Sequence, residues 1–159
     1  MIWVCRAGEA SKHYEYYVNH SIISMPWDGY KQDLSCKKEL SEFKNLVIAE
    51  KGDVARTSVS NWASQLYSFC IEMKKDDYVV IPGFHSKSYT LCRIEGEYEF
   101  DENQSELYHT RKIKVLVENA PREIFPQSIQ YSLGAFRTVF KPKEEEVILK
   151  IFKQWKKEK

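Results

Sequence analysis

The fold is decided by residues 59–80, which read VSNWASQLYSFCIEMKKDDYVV. In the first part of this stretch, apolar residues recur every three or four positions, so they form one stripe along a helix from about Val59 to Met73. Thr57 or Ser58 can cap the start of this helix. After a polar turn, the nearly continuous apolar run Tyr78–Ile81 indicates a buried strand.

The remaining elements show less regular patterns. Strands are predicted at Ile2–Cys5, Ser21–Met25, Tyr89–Tyr98, Lys112–Val117 and Ala135–Phe140, and helices at Lys12–Val18 (capped by Ser11), at Lys37–Glu50 and from Pro142 onward. A short irregular or helical piece is expected between Pro121 and Pro126. Several strands in the second half follow one another without a helix between them. This order favours a mixed or antiparallel curved sheet flanked by helices over a doubly wound parallel sheet.

Composition limits the classes of function. A chain of 159 residues suits one domain with a real core. The formal net charge is +1, so no overall basic field attracts nucleic acid, and any such surface must be a local patch. Aromatic residues make up 14% of the chain. Their rings can build the core or line a pocket for a flat ligand, and composition alone favours the core.

The cysteines indicate neither a zinc site nor a disulfide framework. Cys5, Cys36, Cys70 and Cys92 are far apart and form no CxxC pair. Three of them lie in apolar patterns, where a reduced thiol acts as a small hydrophobic group. No apolar run approaches the length of a membrane span, and the chain opens directly into a strand. We therefore expect a cytoplasmic protein with no membrane association.

Enzyme signatures are absent from the sequence. It contains no phosphate-binding Gly-rich loop, no GxGxxG, no HExxH and no GxSxG. The four histidines are scattered. The segment Asp101–Glu106 predicts a solvated polar loop more readily than a metal loop. Glu95, Glu97 and Glu99 alternate on one strand, but no nearby motif completes a nuclease site. We expect a domain that needs no cofactor and no metal, and that is not an enzyme by itself.

Two features indicate binding. The turn Pro26–Gly29 places Trp27 on a loop, where its ring either packs on the sheet or stacks on a ligand. The residues Ser60–Trp62 are expected in the first turn of the long helix, where free backbone N–H groups attract an anion. The Asn61 amide both donates and accepts hydrogen bonds, as the reading of a base edge requires. Trp62 also lies on the apolar stripe, so a core position remains the alternative.

The sequence resembles known families in several segments. Residues 58–63 and 73–80 resemble the EVE domain, and residues 2–9 look like its first strand and the loop after it. More closely, residues 1 to about 140 resemble the N-terminal domain that precedes Mrr-like restriction endonuclease domains in bacterial proteins. The segments that carry this second likeness are Trp3–Gly8, Trp27–Asp28, Ser60–Ala63, Tyr108–Lys112 and Tyr131–Phe136. The sequence departs from the EVE pattern at Ser60, Trp62 and Asp76, so the base preference of that family does not transfer.

The resemblance implies a PUA-like fold, a curved or barrel-like mixed sheet with helices around it, over residues 1–141. The C-terminal helix, residues 142–159, would then be a candidate linker to a further domain. The implied function is recognition of a modified, flipped base in DNA, in prokaryotic defence or restriction, with a fused or associated nuclease domain performing cleavage. The implied base pocket comprises Arg6, Gly8, Trp27, Asp28, Asn61, Trp62 and Phe84, and the implied phosphate contacts are Arg56, His85 and Lys87.

Within that pocket, Arg6 and Gly8 would form one wall, with Gly8 allowing close approach to the backbone, and Trp27 would stack on the base. Asp28 or Asn61 would read the polar edge, and Phe84 would close the opposite side. Two alternatives stay open. One is a regulatory or interaction module that binds a partner protein or a small nucleotide. The other is a nuclease that these motifs do not reveal, which predicts metal-dependent cleavage by the chain itself.

Overall fold

The computed structural model describes residues 1–103 and 106–159. Gln104 and Ser105, within the predicted polar loop 101–106, lie outside the described residues. The strands are β1 Ile2–Cys5, β2 Ile22–Ser24, β3 Tyr78–Pro82, β4 Ser88–Ile94, β5 Glu99–Phe100, β6 His109–Pro121 and β7 Val139–Phe140. The helices are α1 Tyr14–His20, α2 Leu40–Lys51, α3 Arg56–Tyr67, α4 Gln127–Leu133 and α5 Glu145–Lys157. A π-helical turn, Ser68–Glu72, follows α3 directly, and 3₁₀ turns lie at Glu9–Ser11, Phe84–Ser86 and Arg122–Ile124.

The strands form a strongly curled half-barrel sheet in the order β2-β6-β4-β3-β1-β7, and β5 pairs with β6. Every pairing is antiparallel except that of β1 with β3, which places Trp3 opposite Val79. Register shifts in the β4–β6 pairing, around Leu91, add to the bending of the sheet. The predicted mixed αβ fold, with a curved sheet flanked by helices, is confirmed.

The sheet separates two apolar clusters, and β1 contributes to both. Trp3 and Cys5 belong to the larger cluster, with side chains from α1, α2 and α3. Ile2 and Val4 belong to the smaller cluster, with α4 and α5. Successive side chains of a strand point to opposite faces, so a strand covered on both faces shows a continuous apolar run. This explains why all four residues of β1 are buried.

The predicted helix 59–73 forms, but its start and its end differ from the prediction. The helix α3 begins at Arg56, three residues early, and its N-cap is Ala55, with no side-chain hydrogen bond. The predicted caps at Thr57 and Ser58 were therefore wrong. The predicted C-terminal part, up to Met73, is a π-helical turn in place of a regular α-helix. Consequently Asn61 lies in the second turn, where its N–H is no longer one of the free groups of a helix start.

Other boundaries also move. The predicted strand Tyr89–Tyr98 ends at Ile94 as β4, with β5 following beyond the predicted range, and the predicted strand Ala135–Phe140 is limited to β7. Ser11 does not cap a helix: its Oγ donates to the carbonyl oxygen of Gly83 at 2.8 Å, and α1 begins at Tyr14. This bond joins two turns with the same pattern, Gly-x-x-Ser-Lys, at residues 8–12 and 83–87. They follow the adjacent parallel strands β1 and β3, and both hold their third residue at positive φ.

The C-terminal helix packs on the smaller cluster. The ring centroid of Phe152, on α5, lies 5.1 Å from that of Phe125, and Ile148 on the same helix is fully buried. Glu145 Oε1 accepts a hydrogen bond from the N–H of Ile2 at 2.8 Å. The helix begins at Glu145, three residues after the predicted start at Pro142. None of the helices among residues 1–103 and 106–159 is long and apolar enough to cross a membrane.

The packing of α5 makes a testable prediction about residues 142–159. Phe152→Ala should lower the free energy of unfolding by about 3–5 kcal/mol, because it removes a buried aromatic side chain and leaves a cavity. The neighbouring exposed substitution Lys153→Ala should change it by less than about 0.5 kcal/mol. Urea denaturation measures both values. Equal midpoints for Phe152→Ala and the parent protein would contradict a structural role and favour a simple linker.

Candidate binding cleft

Five of the residues predicted to form the base pocket line one cleft of about 440 Å³. The cleft lies between the loop after β1, the turn after β2, the helix α3 and the segment that leads into β7. Its predicted members are Arg6, Gly8, Trp27, Asn61 and Trp62. The predicted location, between the first-strand loop, the Trp27 turn and α3, therefore coincides with a concave surface.

Trp27 forms one wall and is partly used for packing. Its indole Nε1 donates to Thr138 Oγ1 at 2.9 Å, and its ring lies 6.2 Å from that of Tyr30, centroid to centroid. The two readings of Trp27, packing and ligand contact, are thus compatible, because one part of the ring packs and another faces the cleft. Trp62 is also half-buried, and Lys51 Nζ lies 5.4 Å from its ring centroid.

A buried amide fixes the position of Asn61. Gln65, one turn further along α3, is only 5% exposed. Its Oε1 accepts hydrogen bonds from the backbone N–H groups of Thr138 and Val139, at 2.9 and 3.0 Å. Its Nε2 donates to Asn61 Oδ1 at 3.2 Å. Within the described part of the chain, no acceptor is found for Asn61 Nδ2, so this group is available to donate to a ligand.

Gly8 is required by the backbone conformation. Its φ of 81° and ψ of −177° lie in a region that is essentially restricted to glycine. A Cβ at this position would also approach His13 Cδ2 to 2.9 Å. The predicted reason for Gly8 was close approach of a ligand to the backbone. The structure adds a steric reason that is internal to the fold.

Phe136 lines the cleft and is absent from the predicted set. Its ring is 96% exposed, and the guanidinium of Arg6 lies 5.4 Å from the ring centroid. The backbone of Arg6 is fixed beside the segment that leads into β7, because its N–H donates to the Thr138 carbonyl oxygen at 2.8 Å. Arg137 also lines the cleft. Only the likeness of residues 131–136 to a known family pointed to this segment beforehand.

Phe84 does not close the cleft, in contrast to the prediction. It is 64% exposed and lies edge-on to the ring of His85 in the turn after β3. That turn is tied to the first-strand loop through the Ser11–Gly83 hydrogen bond. The exposed phenylalanine that lines the cleft is Phe136. The predicted phosphate contacts Arg56, His85 and Lys87 are exposed, and none of them lines the cleft.

Asp28 lines a smaller hollow of about 350 Å³ beside the cleft. The two hollows share Trp27 and Trp62, but of these two Asp28 lines only the smaller one and Asn61 lines only the cleft. The hollow of Asp28 also contains Lys51. The two predicted edge-reading residues, Asp28 and Asn61, therefore line different hollows.

A larger hollow of about 780 Å³ continues the cleft on its other side. It shares Asn61, Gln65 and Arg137 with the cleft. Lys141 and Lys143 add two further cations to its lining. The cleft and the larger hollow together therefore contain four cationic side chains beside their aromatic groups, although the net charge of the chain is only +1.

A buried histidine lies beneath the Trp27 turn. His109 Nε2 is 2.8 Å from the Tyr30 carbonyl oxygen, and its Nδ1 is 2.6 Å from the hydroxyl of Tyr98. The Tyr98 oxygen in turn accepts from the backbone N–H of Leu34 at 3.0 Å. A neutral ring that donates through Nε2 and accepts at Nδ1 satisfies all three groups. Burial lowers the pKa of His109, against the opposing effects of the Tyr30 carbonyl and of Asp33.

The lowered pKa of His109 predicts a pH-dependent stability. In the unfolded chain the ring binds a proton near its ordinary pKa of about 6.5, whereas the folded protein resists protonation until lower pH. Stability contributed by His109 is therefore complete above pH 6.5 and is lost as the pH falls toward the folded-state pKa. Thermal unfolding between pH 7.5 and 5.5 should show a falling Tm.

His109→Gln should flatten this pH dependence, because it removes the titrating group. The exposed substitution Asn19→Ala, which removes no ionisable group, should leave the slope unchanged, although the absolute Tm can differ. An unchanged slope in His109→Gln would contradict the assignment of a buried neutral imidazole.

Comparisons with known proteins give one family and one distant similarity. A family model described as a domain of unknown function, DUF8426, matches residues 3–141. The chain is also similar to the small ribosomal subunit protein bS6 of Azobacteroides pseudotrichonymphae genomovar. CFP2. The two are 26% identical over 88 residues, which cover 55% of this chain and 77% of that protein. Because the family model covers most of the chain, including every residue of the cleft, the protein belongs to the DUF8426 family.

Proposed function

We propose that the protein is a PUA-like reader domain that binds a modified, flipped base in DNA and acts in prokaryotic defence. Any cleavage would be performed by another domain or partner. The observation that carries the proposal is the composition of the cleft. Three aromatic rings, Trp27, Trp62 and Phe136, converge with the Asn61 amide and the Arg6 guanidinium in one concave space.

The cleft has suitable dimensions and energetics for this ligand. Its volume of about 440 Å³ falls within the range of about 300–1,000 Å³ that small-molecule sites occupy. Extruding a base costs a few kcal/mol, and stacking on an aromatic side chain returns about 1–3 kcal/mol. One well-placed ring with one amide hydrogen bond can therefore offset the cost of flipping, and a modification adds contacts that the unmodified base lacks.

Charge supports a backbone path along the larger hollow. Arg137, Lys141 and Lys143 line it, and Arg6 lines the aromatic cleft, against one carboxylate in each lining, Glu144 and Glu9. These four cations replace Arg56, His85 and Lys87 as the proposed phosphate contacts, because they adjoin the cleft and the earlier three do not. A protein with few phosphate contacts binds duplex DNA with a shallow salt dependence, of about −0.9 in log–log slope per contact.

The fold and the similarities bear on the choice of ligand. A curled mixed sheet flanked by helices is the architecture expected of a PUA-like domain, and this supports the proposal at the level of architecture. The similarity to a ribosomal protein brings RNA into consideration beside DNA. The binding experiment therefore includes both nucleic acids.

The decisive comparison uses two exposed phenylalanines. Phe136→Ala removes a ring that lines the cleft, whereas Phe84→Ala removes a ring that is also exposed but does not line it. Phe136→Ala should weaken binding of the preferred modified oligonucleotide by about 5- to 150-fold, the equivalent of one lost stack of about 1–3 kcal/mol. Phe84→Ala should bind as the parent protein does. Fluorescence anisotropy measures both affinities.

The oligonucleotides share one sequence and carry 5-methylcytosine, 5-hydroxymethylcytosine, N6-methyladenine or no modification, as DNA and as RNA. Trp27→Ala, with Trp155→Ala on α5 as its control, extends the test to the packed wall of the cleft. Negligible affinity for every oligonucleotide would refute the proposal. Metal-dependent cleavage by the purified chain would also refute it, in favour of a nuclease.

An interaction module is the second candidate, and one observation favours it. Phe136 and Tyr131 are 96% and 72% exposed and line the two adjoining hollows, the cleft and the larger one. Exposed aromatic side chains that lie together are typical of protein contact surfaces. In this case Phe136→Ala would abolish capture of a protein partner, with no measurable affinity for nucleic acid in the parent protein.

A further inference from the structure

A buried arginine forms no ion pair with any carboxylate that the structure describes. Arg111 on β6 is 4% exposed. Its Nη1 donates to the Phe69 carbonyl oxygen at 3.0 Å, and its Nη2 donates to the Gly96 carbonyl oxygen at 3.1 Å. Its Nε has no hydrogen-bond partner within the described part of the chain. No Asp or Glu of residues 1–103 and 106–159 lies within ion-pair distance of it.

Burying an ionised guanidinium without a counter-charge is costly, and two neutral carbonyls compensate for it only in part. The nearby acidic groups do not remove this imbalance. Asp77 is already engaged, since its carboxylate accepts from the indole of Trp3 and lies 3.6 Å from the N-terminal amine. Glu97 is exposed at the surface. A bound anion from solution would supply the counter-charge that Arg111 lacks.

A cavity of about 400 Å³ has Arg111 in its lining. Three lysines, Lys38, Lys74 and Lys75, line it as well, with Glu97 as the one carboxylate in the lining. Lys38 and the lysine pair belong to different segments of the chain, before α2 and before β3. The cavity therefore combines one buried and three exposed cations with a single anion.

The π-helical turn Ser68–Glu72 builds one side of this cavity. A π-helical turn disrupts the regular i→i−4 hydrogen bonding and is frequent at functional sites. Here the carbonyl of Phe69, within the turn, accepts from Arg111. Cys70 and Ile71 from the same turn line the cavity, and Met73 and Tyr98 extend its apolar part. The lining thus offers apolar surface beside the cations.

We propose that this cavity is a second ligand site, which binds a small phosphorylated organic molecule. Its phosphate group contacts Arg111 and the three lysines, and its organic part packs on Met73 and Tyr98. Arg suits phosphate because its planar N–H groups match the phosphate oxygens. The site shares no lining residue with the cleft proposed for the base or with its two adjoining hollows. The two proposals are therefore independent, and one can be refuted without the other.

The test measures binding of inorganic phosphate and of glycerol 3-phosphate to the full chain, by ³¹P NMR titration and by the rise in Tm. Both anions should bind, and glycerol 3-phosphate should bind more tightly because its three-carbon chain adds van der Waals contacts with Met73 and Tyr98. Tighter binding of inorganic phosphate would show that the site takes the free ion and would overturn the organic ligand. No response to either anion would overturn the proposal as a whole.

Two triple variants with equal charge changes localise the binding. Lys38→Gln with Lys74→Gln and Lys75→Gln should weaken glycerol 3-phosphate at least tenfold, because three of the four cations of the cavity are lost. Lys150→Gln with Lys153→Gln and Lys157→Gln, all exposed on α5, should leave it unchanged. Equal weakening in both variants would overturn the proposal and indicate unspecific attraction to lysine. Trp27→Ala should bind glycerol 3-phosphate as the parent protein does.

Cysteine chemistry provides a local readout. Cys36 is exposed, whereas Cys70 lines the cavity, and burial raises the pKa of the Cys70 thiol to about 12. In a Cys36→Ser background, slow alkylation of Cys70 by N-ethylmaleimide should be retarded further by saturating glycerol 3-phosphate. Mass spectrometry follows the reaction. An unchanged Cys70 rate at saturation would place the anion elsewhere and overturn the site.

Discussion

One buried amide holds the cleft together. Gln65 lies on α3, and its Oε1 accepts hydrogen bonds from the backbone N–H groups of Thr138 and Val139, where β7 begins. One of the two N–H donors of its Nε2 bonds to Asn61 Oδ1. A buried amide with all these groups paired stabilises the contact, whereas an unpaired one would cost about 1–3 kcal/mol. Helix, strand entry and the residue proposed to read the base are thus fixed by one side chain.

The strand β1 provides the second constraint on the cleft. It lies between β3 and β7, parallel to the first and antiparallel to the second. Beyond its end, Arg6 continues toward the β7 side, since its N–H donates to Thr138. Thr138 also accepts from the Trp27 indole. The loop after β1, the Trp27 turn and the segment before β7 therefore meet at Thr138, and Phe136, two residues earlier, becomes the outer wall.

Local sequence patterns could predict most of the helices and strands. The family resemblance could predict which segments lie around the cleft. The stripe of α3 and the apolar runs of β1 and β3 carry enough periodicity to locate them. The start of α3 could not be predicted, because Ala55 offers no capping side chain and Thr57 does. Phe84 and Phe136 are both exposed aromatics in irregular segments. Which of them reaches the cleft depends on the pairing of β1 with β7, which is a long-range contact that local sequence does not encode.

Buried and exposed residues alternate in the first part of β6, and this pattern identifies core residues that no sequence motif indicates. Lys112 and Lys114 are exposed and Ile113 is buried, so residues two and four before Ile113 must face the core as well. Those residues are Arg111 and His109.

Two ionisable side chains on the buried face of one strand each require a compensating interaction, and the core compensates them in different ways. His109 is accommodated by becoming neutral, because an imidazole can give up its proton and use both nitrogens in hydrogen bonds. Arg111 cannot, because a guanidinium stays charged at any accessible pH. The core therefore accommodates His109 through its own tyrosines, whereas Arg111 retains a charge that a bound anion would neutralise.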